Sequence, residues 1–167
     1  MDYIDIKELA DIFNISTDEA FKVLRRVSTT NGVKIIHEVD GSIVIGEDYY
    51  NKILQCHYDI EAAIPDYSFV IENAQDTVPF KLGAYVYFLV SGKSIVYIGQ
   101  SVTPAARIGC HLAGGTKEFD LVFSMAVDKK EMMVIEMACI LRYTPEYNTS
   151  IQSAAEVFAD RINVALK

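Results

Sequence analysis

Residues 85–100 read YVYFLVSGKSIVYIGQ, two runs of β-branched and aromatic residues on either side of a Ser91-Gly92-Lys93 break. Such runs favour strands and the short glycine-bearing break favours a tight turn, so the stretch predicts an antiparallel hairpin with a tyrosine in each arm. The second arm ends in Tyr97-Ile98-Gly99, and Gly99 at a strand end allows close backbone approach. Thr103 can then cap a helix whose first position is Pro104. That helix, over residues 103–112, sets Arg107 and His111 one above the other at i, i+4 and stops at Gly114-Gly115. Residues 119–127 alternate weakly and predict a third strand. Asp128, with Glu131 three positions on, has the pattern of a capping box before a long helix. The interior of that helix, MMVIEMACIL, is apolar on every side apart from Glu136. Thr144-Pro145 stops it, and Glu146-Tyr147-Asn148 follows.

This order of residues resembles the GIY-YIG nuclease superfamily, whose two tyrosine motifs lie on a hairpin followed by a helix with an arginine, a helix with a glutamate, and a late asparagine. Six elements occur in that order across residues 80–150. The second motif is intact at Tyr97-Ile98-Gly99. The first is matched by Tyr85-Val86-Tyr87-Phe88-Leu89, which makes Tyr87 its tyrosine and puts Tyr85 where glycine is usual. Gly83-Ala84-Tyr85 is the rival register. The resemblance implies an α/β (α+β) domain with a three-stranded antiparallel sheet flanked by helices. It further implies a DNA endonuclease with catalytic Tyr87, Tyr97, Arg107, His111 and Glu136, one Mg²⁺ or Mn²⁺ on Glu136, support from Gly99 and Asn148, and a phosphate contact from Lys117.

These residue types suit that chemistry. An unpaired carboxylate inside an apolar helix costs several kcal/mol, so Glu136 must find a cation, a donor or an edge open to water. A single carboxylate with water and phosphate oxygens suits Mg²⁺. Arginine presents a permanently charged fork to phosphate, and histidine can relay a proton near neutral pH. A tyrosine of pKa about 10 is a poor base unless cations stabilise its phenolate. Each residue also has a plainer use: Glu136 in an ion pair, Arg107 and His111 on a solvated helix face, Asn148 in a turn after Pro145.

The net charge of −8 opposes strong non-specific binding to nucleic acid. The excess is uneven, however. Residues 1–79 hold six Lys and Arg against fifteen Asp and Glu, a net of −9, whereas residues 80–167 hold nine against eight, a net of +1. The second half therefore permits a weak, metal-dependent encounter with DNA. Cys56, Cys110 and Cys139 are odd in number and widely spaced, which fits reduced, mostly buried thiols rather than a disulfide framework or zinc site. No apolar run reaches the roughly 18 residues of a membrane helix, and the acidic start is unlike a signal peptide, so the expected location is cytoplasmic, away from membranes.

Upstream, Ile6, Leu9, Ala10 and Phe13 share a helical face, Ser16 and Glu19 form a capping-box pattern, and Ala20, Val23, Leu24 and Val27 repeat the spacing. Asp40-Gly41 joins two β-rich runs, residues 33–39 and 42–45, and a further helix is expected over residues 47–56. Helix, turn, helix and hairpin resemble a winged helix-turn-helix over residues 1–57, with Lys22, Arg25 and Arg26 turned outward as DNA contacts or as a solvated face. Residues 58–79 read as a connector with one short strand near Phe69, and residues 80–167 as the nuclease-like domain, ending in an amphipathic helix whose buried face is Ala155, Phe158, Ile162 and Leu166. Two other functions fit the same sequence: a DNA-binding or regulatory module on a weakly catalytic scaffold, and an acidic protein–protein adaptor.

Overall fold

A computed structural model describes residues 3–150 and 152–167. The chain is a mixed α+β protein with two three-stranded antiparallel sheets. It divides into two compact units, Met1–Glu61 with Gln152–Lys167, and Ala62–Ile151.

The first unit begins with strand β1 (Tyr3–Asp5), which composition alone did not single out, followed by helices α1 (Ile6–Ile12) and α2 (Thr17–Asn31). Ser16 and Glu19 close the expected capping box: the Ser16 hydroxyl accepts from Glu19 N, and the Glu19 carboxylate accepts from Ser16 N. Strands β2 (Ile36–Val39) and β3 (Ser42–Gly46) form the hairpin, and β1 adds to β3 to give the order β1-β3-β2. Helix α3 (Glu47–Ala63) runs about two turns beyond the expected residue 56. The last helix, α7 (Ala154–Ala165), belongs to this unit rather than to the second. Its Phe158, Ala159 and Ile162 are buried with Leu9, Ala20, Leu24 and Ile53 in one core. Its apolar stripe announced that it packs, but a stripe carries no label for its partner.

In the second unit, helix α4 (Tyr67–Asn73) stands where a short strand was expected. Three apolar residues in a row cannot separate strand from helix by period, and Pro65-Asp66 is a good helix start. Val70 enters the core and Phe69 lies edge-on to Phe123. Strands β4 (Tyr85–Ser91) and β5 (Ser94–Ser101) make the predicted hairpin, with Gly92 at φ 59° in its turn. Strand β6 (Leu121–Ala126) pairs with the other edge of β4, giving the order β5-β4-β6. Helix α5 (Pro104–Gly114) begins at Pro104 as expected, although the Thr103 side chain makes no capping bond. Helix α6 (Met132–Tyr143) starts after Glu131, and the expected Asp128/Glu131 capping box does not form. Asp128 instead accepts from Lys130 N at 3.0 Å, a local turn that competes with the cap.

Cys139 is buried, Cys56 half-buried and Cys110 exposed, so the three cysteines, none in a disulfide, are less buried as a set than expected. Among the described residues no helix is long and apolar enough to cross a membrane.

Candidate functional site

The site is built on the hairpin. Cross-strand pairing places Tyr87 opposite Gly99 and Leu89 opposite Tyr97, so these residues share one face, and a register shift between Leu89 and Val90 sets that pairing. Tyr87 is fully buried. Its ring crosses β5 over Gly99: a Cβ there would lie 2.4 Å from the Tyr87 hydroxyl and 2.9 Å from Tyr97 Cε1. Only glycine leaves room for that crossing.

Helix α5 covers this face. The Tyr87 hydroxyl is 3.0 Å from His111 Nε2, and the Tyr97 and His111 ring centroids are 5.0 Å apart at 62°. Arg107, one turn earlier and exposed, lies against the Tyr87 phenol and reaches Tyr97; the two phenols hold its pKa above the usual arginine value. A guanidinium can only donate, so Arg107 beside the phenol favours the tautomer in which the Tyr87 hydroxyl donates to His111 Nε2. Burial, then the Lys117 and Arg107 charges, push the His111 pKa down, which keeps the imidazole neutral at pH 7. Burial also pushes the Tyr87 pKa up, and Tyr97 adds to it; the opposing pull of Arg107 does not win. Tyr87 is therefore a phenol, not a phenolate, at neutral pH. Lys117 Nζ sits 4.7 Å from the Tyr97 ring centroid, a cation–π contact that places a charge at the rim.

Strand alternation turns Gln100 to the opposite face from Gly99, toward α6. Its Nε2 donates to Glu136 Oε2 at 2.9 Å. The Glu136 carboxyl is half-buried, and burial raises its pKa to about 7 against the pull of Gln100 and Arg107. Glu136 is thus within electrostatic range of both Arg107 and Tyr87. A hard oxygen donor whose charge is not neutralised by its protein neighbours fits Mg²⁺ or Mn²⁺. Among the described residues no group of three or more His, Cys, Asp or Glu could hold an ion by itself, so an ion here would take most of its ligands from water and phosphate.

Asn148 does more than occupy a turn. Its Oδ1 accepts from Ile98 N and its Nδ2 donates to Ile98 O, both at 2.9 Å, so one amide side chain replaces a missing strand on the outer edge of β5. Tyr147 N continues this by donating to Val96 O at 2.9 Å. The clamp fixes the segment between Tyr97 and Gly99.

The structure brings Tyr87, Tyr97, Gly99, Arg107, His111, Lys117, Glu136 and Asn148 to one sheet. The three basic residues of α2 lie apart from this cluster, in the first unit. Lys22, Arg25 and Arg26 are exposed, but Arg26 shares a groove with Glu156 and Asp160 of α7, and its charge pulls on the Asp160 carboxyl. Lys22 does the same for Glu19 within α2. Sequence reading passed over Gln100, although the alternation from Ile98 puts it on the face that α6 covers. No protein-family model, characterised protein or solved structure matches the chain.

Proposed function

We propose that this chain is a metal-dependent DNA endonuclease of the GIY-YIG type, hydrolysing phosphodiester bonds at the β4–β5–α5 cluster. The observation that carries the reading is the convergence of Tyr87, Tyr97, Arg107 and His111 around a 3.0 Å phenol–imidazole contact, with Glu136 in electrostatic range. The strand order and the Asn148 clamp support the family fold.

Each side chain has a part consistent with its surroundings. Arg107, exposed, grips the phosphoryl oxygens and offsets charge that develops on them. His111, neutral, takes up the proton lost by the attacking water, which reaches Nε2 through the Tyr87 hydroxyl. As Arg107 turns to the phosphate it uncovers that hydroxyl. Tyr97 and Lys117 line the approach. Glu136 would hold the divalent ion, which when bound acts as a Lewis acid toward the leaving oxygen.

Purified protein with Mg²⁺ nicks plasmid DNA under this reading, and Glu136→Ala and Arg107→Ala each abolish nicking; nicking that persists in both variants refutes it. With Mg²⁺ saturating, so that Glu136 stays ionised, the rate falls in acid as His111 gains a proton, below the ordinary histidine value of 6.5 because its pKa is lowered. Loss of that acid limb in His111→Ala identifies the base.

A second reading draws on one observation, the groove of about 390 Å³ on α2 lined by Phe21, Lys22, Arg25 and Arg26. There the first unit is a winged-helix-like DNA-binding module and the second a weakly catalytic scaffold. DNA binding without cleavage, weakened by Lys22→Glu with Arg26→Glu, favours it over the endonuclease. Absence of DNA affinity at low salt, with or without Mg²⁺, favours a protein–protein adaptor instead.

A further inference from the structure

Ser124 on β6 is directly opposite Tyr87 on β4, so the two side chains are neighbours on one face of the sheet. Beyond β6 the chain returns as a strap. Gln75 N donates to Val122 O at 2.9 Å and Val122 N to Gln75 O at 2.7 Å, and Val78 packs beside Tyr87 and Leu89. Between strap and strand is a cavity of about 460 Å³. It lies one strand away from the phenol–imidazole pair and is no part of it.

Its lining is neutral and rich in hydrogen-bonding groups. Among the described residues no Lys, Arg, Asp or Glu borders it. The Asn73 Nδ2 donates to Phe69 O at 2.8 Å, which leaves Oδ1 to accept. Thr77 Oγ1 donates to Gln75 Oε1 at 3.2 Å, which leaves the Gln75 amide to donate. The Tyr85 ring, lying over Gly83 where a Cβ would meet it at 3.1 Å, supplies an aromatic wall. Ser124 Oγ has lost water without gaining a partner among the described residues. Ser124 lines the cavity, where a ligand could satisfy this hydroxyl.

A phosphate would find no cation here, and an aliphatic ligand would strand the amides. A flat heterocycle with edge donors and acceptors satisfies both the aromatic wall and the neutral amides. We infer that this cavity is a nucleobase subsite, taking the base next to the scissile phosphate, unstacked from its neighbours. The volume accommodates a nucleoside, being within the usual range for small-molecule sites of about 300–1,000 Å³. Tyr85 offers the stacking face, and Asn73, Gln75 and Ser124 read the edge. Its position beside the scissile bond rests on the endonuclease reading; its affinity for a base does not.

Uncharged nucleosides, adenosine and thymidine, titrated into the isotope-labelled full chain, test it. The expected result is saturable shifts at the backbone amides of Gln75, Thr77, Tyr85 and Ser124, with Tyr85→Ala weakening affinity about tenfold and Ser124→Val, the gentler change, also weakening it. Amide dispersion in each variant shows that it is folded. No saturable shift from either nucleoside overturns the subsite, as does ribose alone reproducing the shifts. Nucleoside binding without plasmid nicking keeps the subsite and defeats the endonuclease; nicking without nucleoside binding does the reverse.

Discussion

In the first unit Arg161 of α7 is enclosed, only 4% exposed, with its Nη2 2.6 Å from Glu61 Oε1, its Nη1 against His57 Nδ1, and its guanidinium over the Phe13 ring at 5.6 Å. In the second unit Arg107 of α5 also stands by a histidine, but it is exposed and, among the described residues, has no carboxylate within ion-pair distance; its neighbours are phenols. The carboxylate of that cluster, Glu136, is held by a neutral amide instead. The first arrangement is closed, with its charges spent on one another inside the fold. The second leaves a cation and an acid unmatched at a rim, where a ligand of complementary charge can complete them. Structural ion networks and functional sites both perturb titrating groups, and the two arrangements here differ in whether a partner of opposite charge is already in contact.

The largest expected effect tests this difference. Arg161→Met keeps most of the apolar stem but leaves Glu61 without its cation. Breaking a buried pair typically costs about 3–5 kcal/mol, and because Glu61 is partly exposed the expected loss in urea unfolding is about 2–3 kcal/mol. Arg107→Met, whose guanidinium faces water, should cost less than about 1 kcal/mol by the same measurement. Equal losses would erase the distinction between a closed and an open arrangement.

Next comes Gly99→Ala. The added Cβ meets the Tyr87 ring at 2.6 Å, so the ring must leave its place over β5 and His111 loses its partner. Overpacking of this kind costs about 1–3 kcal/mol. The loss should shrink in a Tyr87→Ala background, where only the contact of the new Cβ with Tyr97 Cε1 at 2.9 Å remains to be relieved. A penalty unchanged in that background would mean the glycine serves the backbone rather than the phenol. Asn148→Ala is gentler. It removes both bonds to the backbone of Ile98, one to its N–H and one to its C=O, and because water can reach an edge strand the expected cost is about 1 kcal/mol. Faster hydrogen exchange at Ile98 N, with β4 amides unchanged, would be its signature.

How far the residues announced this arrangement depends on the range over which each signal acts. The hairpin, the Ser16 capping box and the Pro104 helix start are local chemistry, and each formed where the sequence put it. The choice between Tyr85 and Tyr87 was not local. What the structure adds is the register, with a shift at Leu89/Val90 and Tyr87 rather than Tyr85 opposite Gly99, and neither can be read along one strand. The Glu136–Gln100 bond was half legible: alternation along β5 gives the face of Gln100, but only packing against α6 gives its partner. The partner of α7 was not legible at all, since an apolar stripe of Ala155, Phe158 and Ile162 fits any complementary face. The Asp128 cap failed because its side chain had a nearer donor in Lys130 N.

Glu136 offers the smallest and most specific test of the open arrangement. Its ordinary pKa of 4.5 is raised to about 7 in the folded chain. Below pH 4.5 both the folded and unfolded forms carry the proton, and the group adds nothing to the pH dependence. Between about 4.5 and 7 the unfolded chain releases a proton that the folded chain keeps, so stability falls as pH rises, and above about 7 the loss is complete. Allowing for its partial exposure, the loss should be about 1 kcal/mol. The Tm of the native chain minus that of Glu136→Gln should therefore decline from pH 4.5 to 7 and then level. Mg²⁺ should recover the decline in the native chain alone, since a cation bound to the folded state draws the carboxyl back toward ionisation. A flat difference would show that Glu136 is already neutralised within the fold, as Glu61 is by Arg161, and the contrast between the two units would fail at its most exposed point.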